Sequence, residues 1–403
     1  MPISNTHITY LDHLACSACL STFPADSLQT ICCNCGAPLL ARYNLEAARS
    51  QLDRDRLAGR PDRLWNWREL LPIHDLSHVT DLGEGGTPLL RARRLGQALG
   101  MTDVWIKDEG LNPTGSFKAR GMAVAVSRAV ELGVREFVVP TAGNAGGAAA
   151  AYAARSGSRV HVYMPQDAPI ANRAECEFAG AEVILVNGLI NTAGTQAARD
   201  ASEHGWFDLS TLREPYRVEG KKTMGYEIAR QLGWRMPDVV VYPTGGGTGL
   251  IGMWKAFDEM QALGWIGNSR PRMFAVQAEH CAPVYHAFHN GAERCELWPD
   301  ARTEAAGLRV PKPFADRLIL QVLRDSDGGA IVVGDDDMKR AQGLLARTEG
   351  MTACLEGAAT IAAIESLLRT GQVRPDECVV CLNTGTHLKE PHTLRQGSMY
   401  GPA

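Results

Sequence analysis

Short apolar runs recur along the chain, and stretches of helical character, many of them rich in alanine, lie between most of them. The runs at 104–107, 136–140, 160–165, 182–186, 239–242, 273–277 and 378–382 predict strands, and 119–131, 146–156 and 337–348 predict helices. Strands and helices that alternate in this way build parallel sheets with helices on both faces, an α/β fold. The charged stretch 51–69, with Trp65 and Trp67, predicts a partly helical connector. No repeat and no low-complexity segment interrupts the pattern.

Composition narrows the class. A chain of 403 residues can bury a large core and has room for two main lobes besides a small N-terminal unit. The net charge is only -4 and is spread along the sequence, which argues against a nucleic-acid partner. The start has no basic and apolar leader, and no apolar run approaches the roughly 20 residues that span a bilayer, so no membrane role and a cytoplasmic location are expected. The eleven cysteines are then expected to be mostly reduced. Four of them form a pattern: Cys16-x2-Cys19, a spacer of twelve and Cys32-x2-Cys35 make two knuckles that can close a tetrahedral zinc site, with Cys33 competing with Cys32. Metal-free thiols in a small hairpin are the other reading. Cys176, Cys281, Cys295, Cys354, Cys378 and Cys381 show no motif and are expected to pack as small apolar groups.

Three turns carry candidate chemistry. Asn112-Pro113-Thr114-Gly115-Ser116-Phe117-Lys118-Ala119-Arg120-Gly121 places one lysine at the start of a predicted helix. Such a lysine is either solvated surface or a Schiff-base amine held by packing to attack a carbonyl. Thr244-Gly245-Gly246-Gly247-Thr248-Gly249 follows a strand and opens a helix, an arrangement that turns several backbone N–H groups onto one phosphate. Its spacing is not that of a dinucleotide fingerprint or a P-loop, although tight helix-to-strand packing also selects glycine. Pro140-Thr141-Ala142-Gly143-Asn144-Ala145-Gly146-Gly147 is either a plain tight turn or a means of aiming the Asn144 amide at a ring oxygen.

These motifs, in this order, resemble the fold type II pyridoxal-phosphate enzymes, the tryptophan-synthase-β-like family, and within it the threonine synthases. The likeness runs from Gly83-Glu84-Gly85-Gly86-Thr87-Pro88-Leu89 to Asn383-Thr384-Gly385-Thr386-His387-Leu388-Lys389. It implies a two-lobed fold, with residues 1–45 as a zinc-ribbon-like unit, 46–99 and 212–403 as the large cofactor-binding domain, and 100–211 as a small mobile domain. It implies pyridoxal 5'-phosphate as cofactor, zinc as a second candidate, and a homodimer. By the resemblance Lys118 is the catalytic lysine. Phe117 and Asn144 lie at the cofactor ring, Gly245, Gly246, Gly247, Thr248 and Gly249 cradle its phosphate, and Thr384 meets its pyridine nitrogen. A neutral hydroxyl there leaves that nitrogen largely unprotonated, which favours elimination and replacement over transamination. Ser116, Thr141 and Arg217 are the implied substrate contacts.

The resemblance implies conversion of O-phospho-L-homoserine and water to L-threonine and phosphate, which needs a second anion pocket besides the one for the cofactor. Three departures from the family pattern bear on that pocket: Glu214 stands for Asn, Ala145 for Thr and Ala119 for Asp. The turn Gly143-Asn144-Ala145-Gly146 looks like that of serine and threonine dehydratases, so a dehydratase or β-replacement enzyme is the alternative. A catalytically silent relative is a third reading, against which the intact Lys118, Asn144, glycine loop and Thr384 all count. Glu356 lies in a run that the family pattern places near the site, and it could equally cap a helix at its N-terminus. His387 follows the Thr384 turn, where the family usually has a small residue, which puts it within reach of the cofactor edge; His13, His161, His204, His280, His286 and His289 have no metal-like spacing.

Overall fold

The computed structural model describes residues 8–188 and 190–389; residues 1–7, read above for a leader, lie outside them. Three antiparallel strands open the fold, β1 (Leu11–Cys16), β2 (Thr22–Pro24) and β3 (Leu39–Tyr43). They are followed by β4 (Leu89–Arg91), β5 (Asp103–Asp108), β6 (Glu136–Pro140), β7 (Arg159–Pro165), β8 (Glu182–Val186) and β9 (Phe207–Asp208). The last four are β10 (Val239–Pro243), β11 (Arg272–Ala278), β12 (Gly329–Val333) and β13 (Cys378–Asn383). They form a three-stranded sheet in the order β2-β1-β3, a six-stranded sheet in the order β12-β11-β10-β13-β5-β4 and a four-stranded sheet in the order β8-β7-β6-β9. The two larger sheets are parallel throughout, except where β4 pairs antiparallel with β5.

Each predicted strand and helix is present. Val239–Pro243 and Cys378–Asn383 are buried at every position, as strands covered by helices on both faces must be. On one face of the six-stranded sheet the apolar cluster is built from helices Arg217–Gln231, Thr248–Ala262 and Asp316–Asp325, and on the other from Asp335–Glu349 and Leu355–Arg369. The stretch 51–69 is partly helical, and Trp67 packs in the large core against Tyr226, 5.1 Å between centroids, so it anchors as well as connects.

Two boundaries differ from the expected ones. Strand β5 pairs with β13 from Cys378↔Asp103 to Asn383↔Asp108, so it belongs to the six-stranded sheet, and the strands of the four-stranded sheet begin at Glu136. The ribbon is also not an isolated unit. Leu14, Leu39, Ala41 and Tyr43 share one apolar cluster with helices Lys118–Glu131 and Asn144–Ser156. No described helix is long and apolar enough to cross a membrane.

Helix Lys118–Glu131 is fixed in rotation by a buried ion network. The Arg120 guanidinium donates to Glu109 at 2.5 and 2.7 Å and to Glu227 at 2.6 and 2.7 Å, with Thr87 and Thr223 as further acceptors. Lys107 joins Glu227 at 2.7 Å. Burial pushes the Glu227 carboxyl up, but Arg120 and Lys107 more than reverse this, and it stays ionised far below the usual carboxylate range. Removing one partner of such a network leaves carboxylates uncompensated in the core. Arg120→Met is expected to lower unfolding stability by about 3–5 kcal/mol in denaturant titrations, and a loss below about 1 kcal/mol would contradict the account.

Candidate active site

Three adjacent parallel strands, β10, β13 and β5, end on the same side of the six-stranded sheet, and each leads into a sequence motif. The glycine loop follows β10, Thr384 follows β13, and the segment to Lys118 follows β5. This is the crevice outside the carboxyl ends of the strands where open α/β sheets bind ligands. The second and third motifs are tied by backbone pairing: Phe117 N–H donates to Thr384 O at 3.0 Å, Thr386 N–H to Gly115 O at 2.8 Å, and Ser116 bridges Gly385. The turn after β6 brings Thr141 and Asn144 to the same place from the other sheet.

They meet around a cavity of about 700 Å³. Phe117, Lys118, Thr141, Asn144, Arg217, Gly245 to Gly249 and Thr384 all line it. Ser116 does not: it is fully buried, its hydroxyl has no hydrogen-bond partner among the described residues, and its strand-like pairing with Gly385 holds it behind the wall. Gly247 has φ +73°, a left-handed conformation that lets the loop turn directly into helix Thr248–Ala262. That helix's first N–H groups have no intrahelical acceptor and line the cavity.

The electrostatics are one-sided. Lys118, Arg217 and Lys221 line the deep part, and Arg213, Arg309 and Lys312 line it as well, against two carboxylates, Glu304 and Glu356. The Lys118 ammonium sits 4.1 Å from the Phe117 centroid. Burial pulls its pKa down to about 8, and the Arg217 cation pulls the same way against the opposing effect of Glu356. On Arg217 one terminal nitrogen donates to Leu209 O, while Nε and Nη2 are buried without a hydrogen-bond partner among the described residues. Glu214 does not face the cavity as a repelling charge. Its carboxylate accepts from Tyr216 N–H at 2.7 Å and Arg217 N–H at 3.0 Å, capping the helix that begins at Arg217, and burial pushes it up to about 7.

Cys354 is a neighbour that the motifs do not announce, whereas Glu356 lies in a run the family pattern places near the site. Cys354, expected to be a packing residue, caps helix Leu355–Arg369 and brings its Sγ to 3.7 Å from the Thr384 hydroxyl. Glu356 lines the cavity and accepts from Gly307 N–H at 2.6 Å. His387 is not among the lining residues, although Lys389, two positions on, is. A glycine or cysteine pattern cannot announce these contacts, since each depends on which turn packs beside it.

Residues 80–385 match the family described as Pyridoxal-phosphate dependent enzyme. The chain is 36% identical to the threonine synthase of Methanocaldococcus jannaschii over 384 residues, which covers 95% of this chain and 94% of that one. With the threonine synthase of Methanosarcina acetivorans it shares 34% over 95% of this chain and 93% of that one. The chain belongs to the threonine synthase family. Among solved structures, maize serine racemase superposes with TM-score 0.67 at 22% identity, covering 78% of this chain and 91% of that one. The fungal L-serine ammonia-lyase of Rhizomucor miehei superposes with TM-score 0.65 at 22% identity, covering 78% and 98%. The fold is thus that of fold type II pyridoxal-phosphate enzymes.

The residues present fit that cofactor. A lysine without a hydrogen-bond partner among the described residues, unsatisfied guanidinium nitrogens and an open helix N-terminus line one cavity, and together they suit an aldehyde carrying a phosphate. The ribbon fits zinc as well. The sulfurs of Cys16, Cys19, Cys32 and Cys35 all lie within 4.8 Å of one another, with Cys16–Cys35 at 3.4 Å and Cys19 to both Cys32 and Cys35 at 3.6 Å. A tetrahedral site with Zn–S near 2.3 Å needs edges of roughly 3.8 Å. Cys33 is outside the group, its thiol facing Asn34.

Two outcomes are expected. Metal analysis should find about one zinc per chain, lost in Cys32→Ser and kept in Cys33→Ser; equal behaviour of the two variants would refute the four-sulfur set. The rate at which apoprotein combines with pyridoxal phosphate should rise with pH and reach half its plateau near 8, because only the neutral Lys118 amine attacks the aldehyde. Arg217→Met should move that midpoint upward; a wild-type midpoint near the ordinary lysine value of about 10.4 would contradict the assignment.

Proposed function

We propose that the chain is a threonine synthase that converts O-phospho-L-homoserine and water to L-threonine and phosphate. The observation that carries this reading is the second set of anion donors. The glycine loop at the start of helix Thr248–Ala262 provides for the cofactor's phosphate, yet Arg217 at the start of a different helix still presents two buried nitrogens without a hydrogen-bond partner among the described residues. A substrate without a phosphate offers only its α-carboxylate, for which the start of helix Asn144–Ser156 at the Thr141–Asn144 turn lines the same cavity.

Lys118, Asn144, the loop from Gly245 to Gly249 and Thr384 would hold pyridoxal phosphate, with Phe117 packed beside it. When bound, the cofactor supplies the electron sink that makes protons at Cα and Cβ of the substrate removable. Lys118 takes and returns those protons; an amine whose pKa lies near 8 is close to matched for both directions near neutral pH. Arg217 receives the phosphate that departs from Cγ, and water adds at Cβ. Thr141, whose hydroxyl accepts from Gly143 N–H at 3.1 Å, positions the Asn144 turn at the cavity wall. Four-stranded-sheet residues line one side of the cavity and six-stranded-sheet residues the other, and we take the former as the mobile lobe of the 100–211 region. A homodimer working in the cytoplasm completes the proposal.

One observation keeps the dehydratase reading in play. Ala145 lines the cavity with a methyl group where a hydroxyl donor would serve a phosphorylated substrate. Incubation with O-phospho-L-homoserine, L-threonine and L-serine separately decides between them. Phosphate and threonine from the first are expected; oxoacid from the other two alone would overturn the synthase reading. Lys118→Ala should lower turnover by at least about a thousandfold.

A further inference from the structure

Arg217 and Lys221 lie one turn apart on a single face of helix Arg217–Gln231, and both line the cavity. Lys221 is 1% exposed, and its ammonium makes no hydrogen bond or ion pair among the described residues. The face of Phe117 lies 5.0 Å from it. The other buried lysines behave differently. Lys107 meets Glu227 at 2.7 Å, Lys222 meets Glu219 at 2.6 Å and Lys255 meets Glu219 at 3.0 Å. The Glu214 carboxylate, on the same helix start, already accepts from the N–H groups of Tyr216 and Arg217.

A buried cation lacking a counterion is unfavourable, and a second cation one turn away adds repulsion. Burial together with Arg217 and Lys118 pulls the Lys221 pKa well below its ordinary value, against a smaller opposing effect of Glu214, which makes no ion pair with it. An anion bound between the two side chains removes both costs at once. Lys118 and Lys221 also stand at 4.1 and 5.0 Å from the same Phe117 centroid, so an anion on Lys221 lies within one short substrate of the amine that moves the protons. The cofactor's phosphate has its own cradle at the start of helix Thr248–Ala262.

We propose that Lys221 is a specificity-determining residue that joins Arg217 in clamping the phosphoryl group of the substrate, so that a dianionic leaving group is preferred over a neutral one. The inference rests on the threonine synthase reading and deepens it.

The test uses the holoenzyme and Lys221→Met, with Lys221→Gln as a second variant should the first not fold. Three measurements are made: kcat/KM for O-phospho-L-homoserine, competitive inhibition by inorganic phosphate and by unphosphorylated L-homoserine, and pyridoxal-phosphate affinity by absorbance titration of the apoprotein. Loss of one charge-assisted hydrogen bond should lower kcat/KM and weaken phosphate inhibition by about 10- to 100-fold each. Inhibition by L-homoserine should change less than about twofold, cofactor affinity should hold, and Tm should stay level or rise because an unpaired buried charge is gone. Unchanged phosphate inhibition overturns the proposal. So does lost cofactor affinity with phosphate inhibition intact, which would assign Lys221 to the cofactor's phosphate. If wild-type enzyme does not turn over O-phospho-L-homoserine, the functional reading fails by itself, and phosphate binding to wild type against variant still decides the clamp.

Discussion

Five helices begin at the wall of one cavity, at Lys118, Asn144, Arg217, Thr248 and Leu355, the last with Glu356 facing in. Each start brings the positive end of a helix dipole and N–H groups without an intrahelical acceptor, and Glu214 and Cys354 cap two of the five. Lys118, Arg217 and Lys221 add cationic groups to the same protein-walled cavity, where fields are focused. A chain whose net charge is only -4 thus encloses a strongly positive centre. That constraint explains the rest of the site: Lys118 is driven toward its neutral, nucleophilic form, and the vacant donors call for two anions rather than one.

Such a centre is tolerable only if the elements that form it cannot turn away. Arg120 lies two residues beyond Lys118 on the same helix, about 200° around its axis. With Arg120 locked to Glu109 and Glu227, Lys118 has one direction left, toward the cavity. A second network, in which Lys222 and Lys255 meet Glu219 and Glu259, does the same for helices Arg217–Gln231 and Thr248–Ala262. In both networks the cations and carboxylates match one for one, so the core stays neutral beside an unbalanced site. Buried ion pairs add little stability of their own, and their value here is rotational register.

The ribbon is joined to this arrangement and does not simply decorate it. Tyr43 on β3 donates to Glu219 at 2.8 Å, which ties the N-terminal sheet into the second network. The turn at Cys35 and Gly36 also lines a neighbouring cavity that shares Arg213, Lys312 and Phe314 with the main one. Holding four sulfurs around one point would keep that wall in place with few other contacts to rely on.

Seven strands, three helices and the Lys118, Asn144, Gly245–Gly249 and Thr384 turns were all legible in the sequence, because periodicity and turn chemistry are properties of a few consecutive residues. Some of the strands it did not announce are short. Leu89–Arg91 and Phe207–Asp208 contain too few residues to show a period, and Gly329–Val333 is hidden behind two glycines where Met273 approaches the backbone. By itself the sequence determined which chemistry the chain could hold and in what order its parts come. Only the tertiary structure decided that Glu214 caps a helix start, that Ser116 is not among the residues lining the cavity, that Arg120 is locked and that Lys221 has no ion-pair partner among the described residues. Whether a charged side chain is paired or bare depends on partners as distant along the chain as Glu227 is from Arg120, and local pattern carries no record of them.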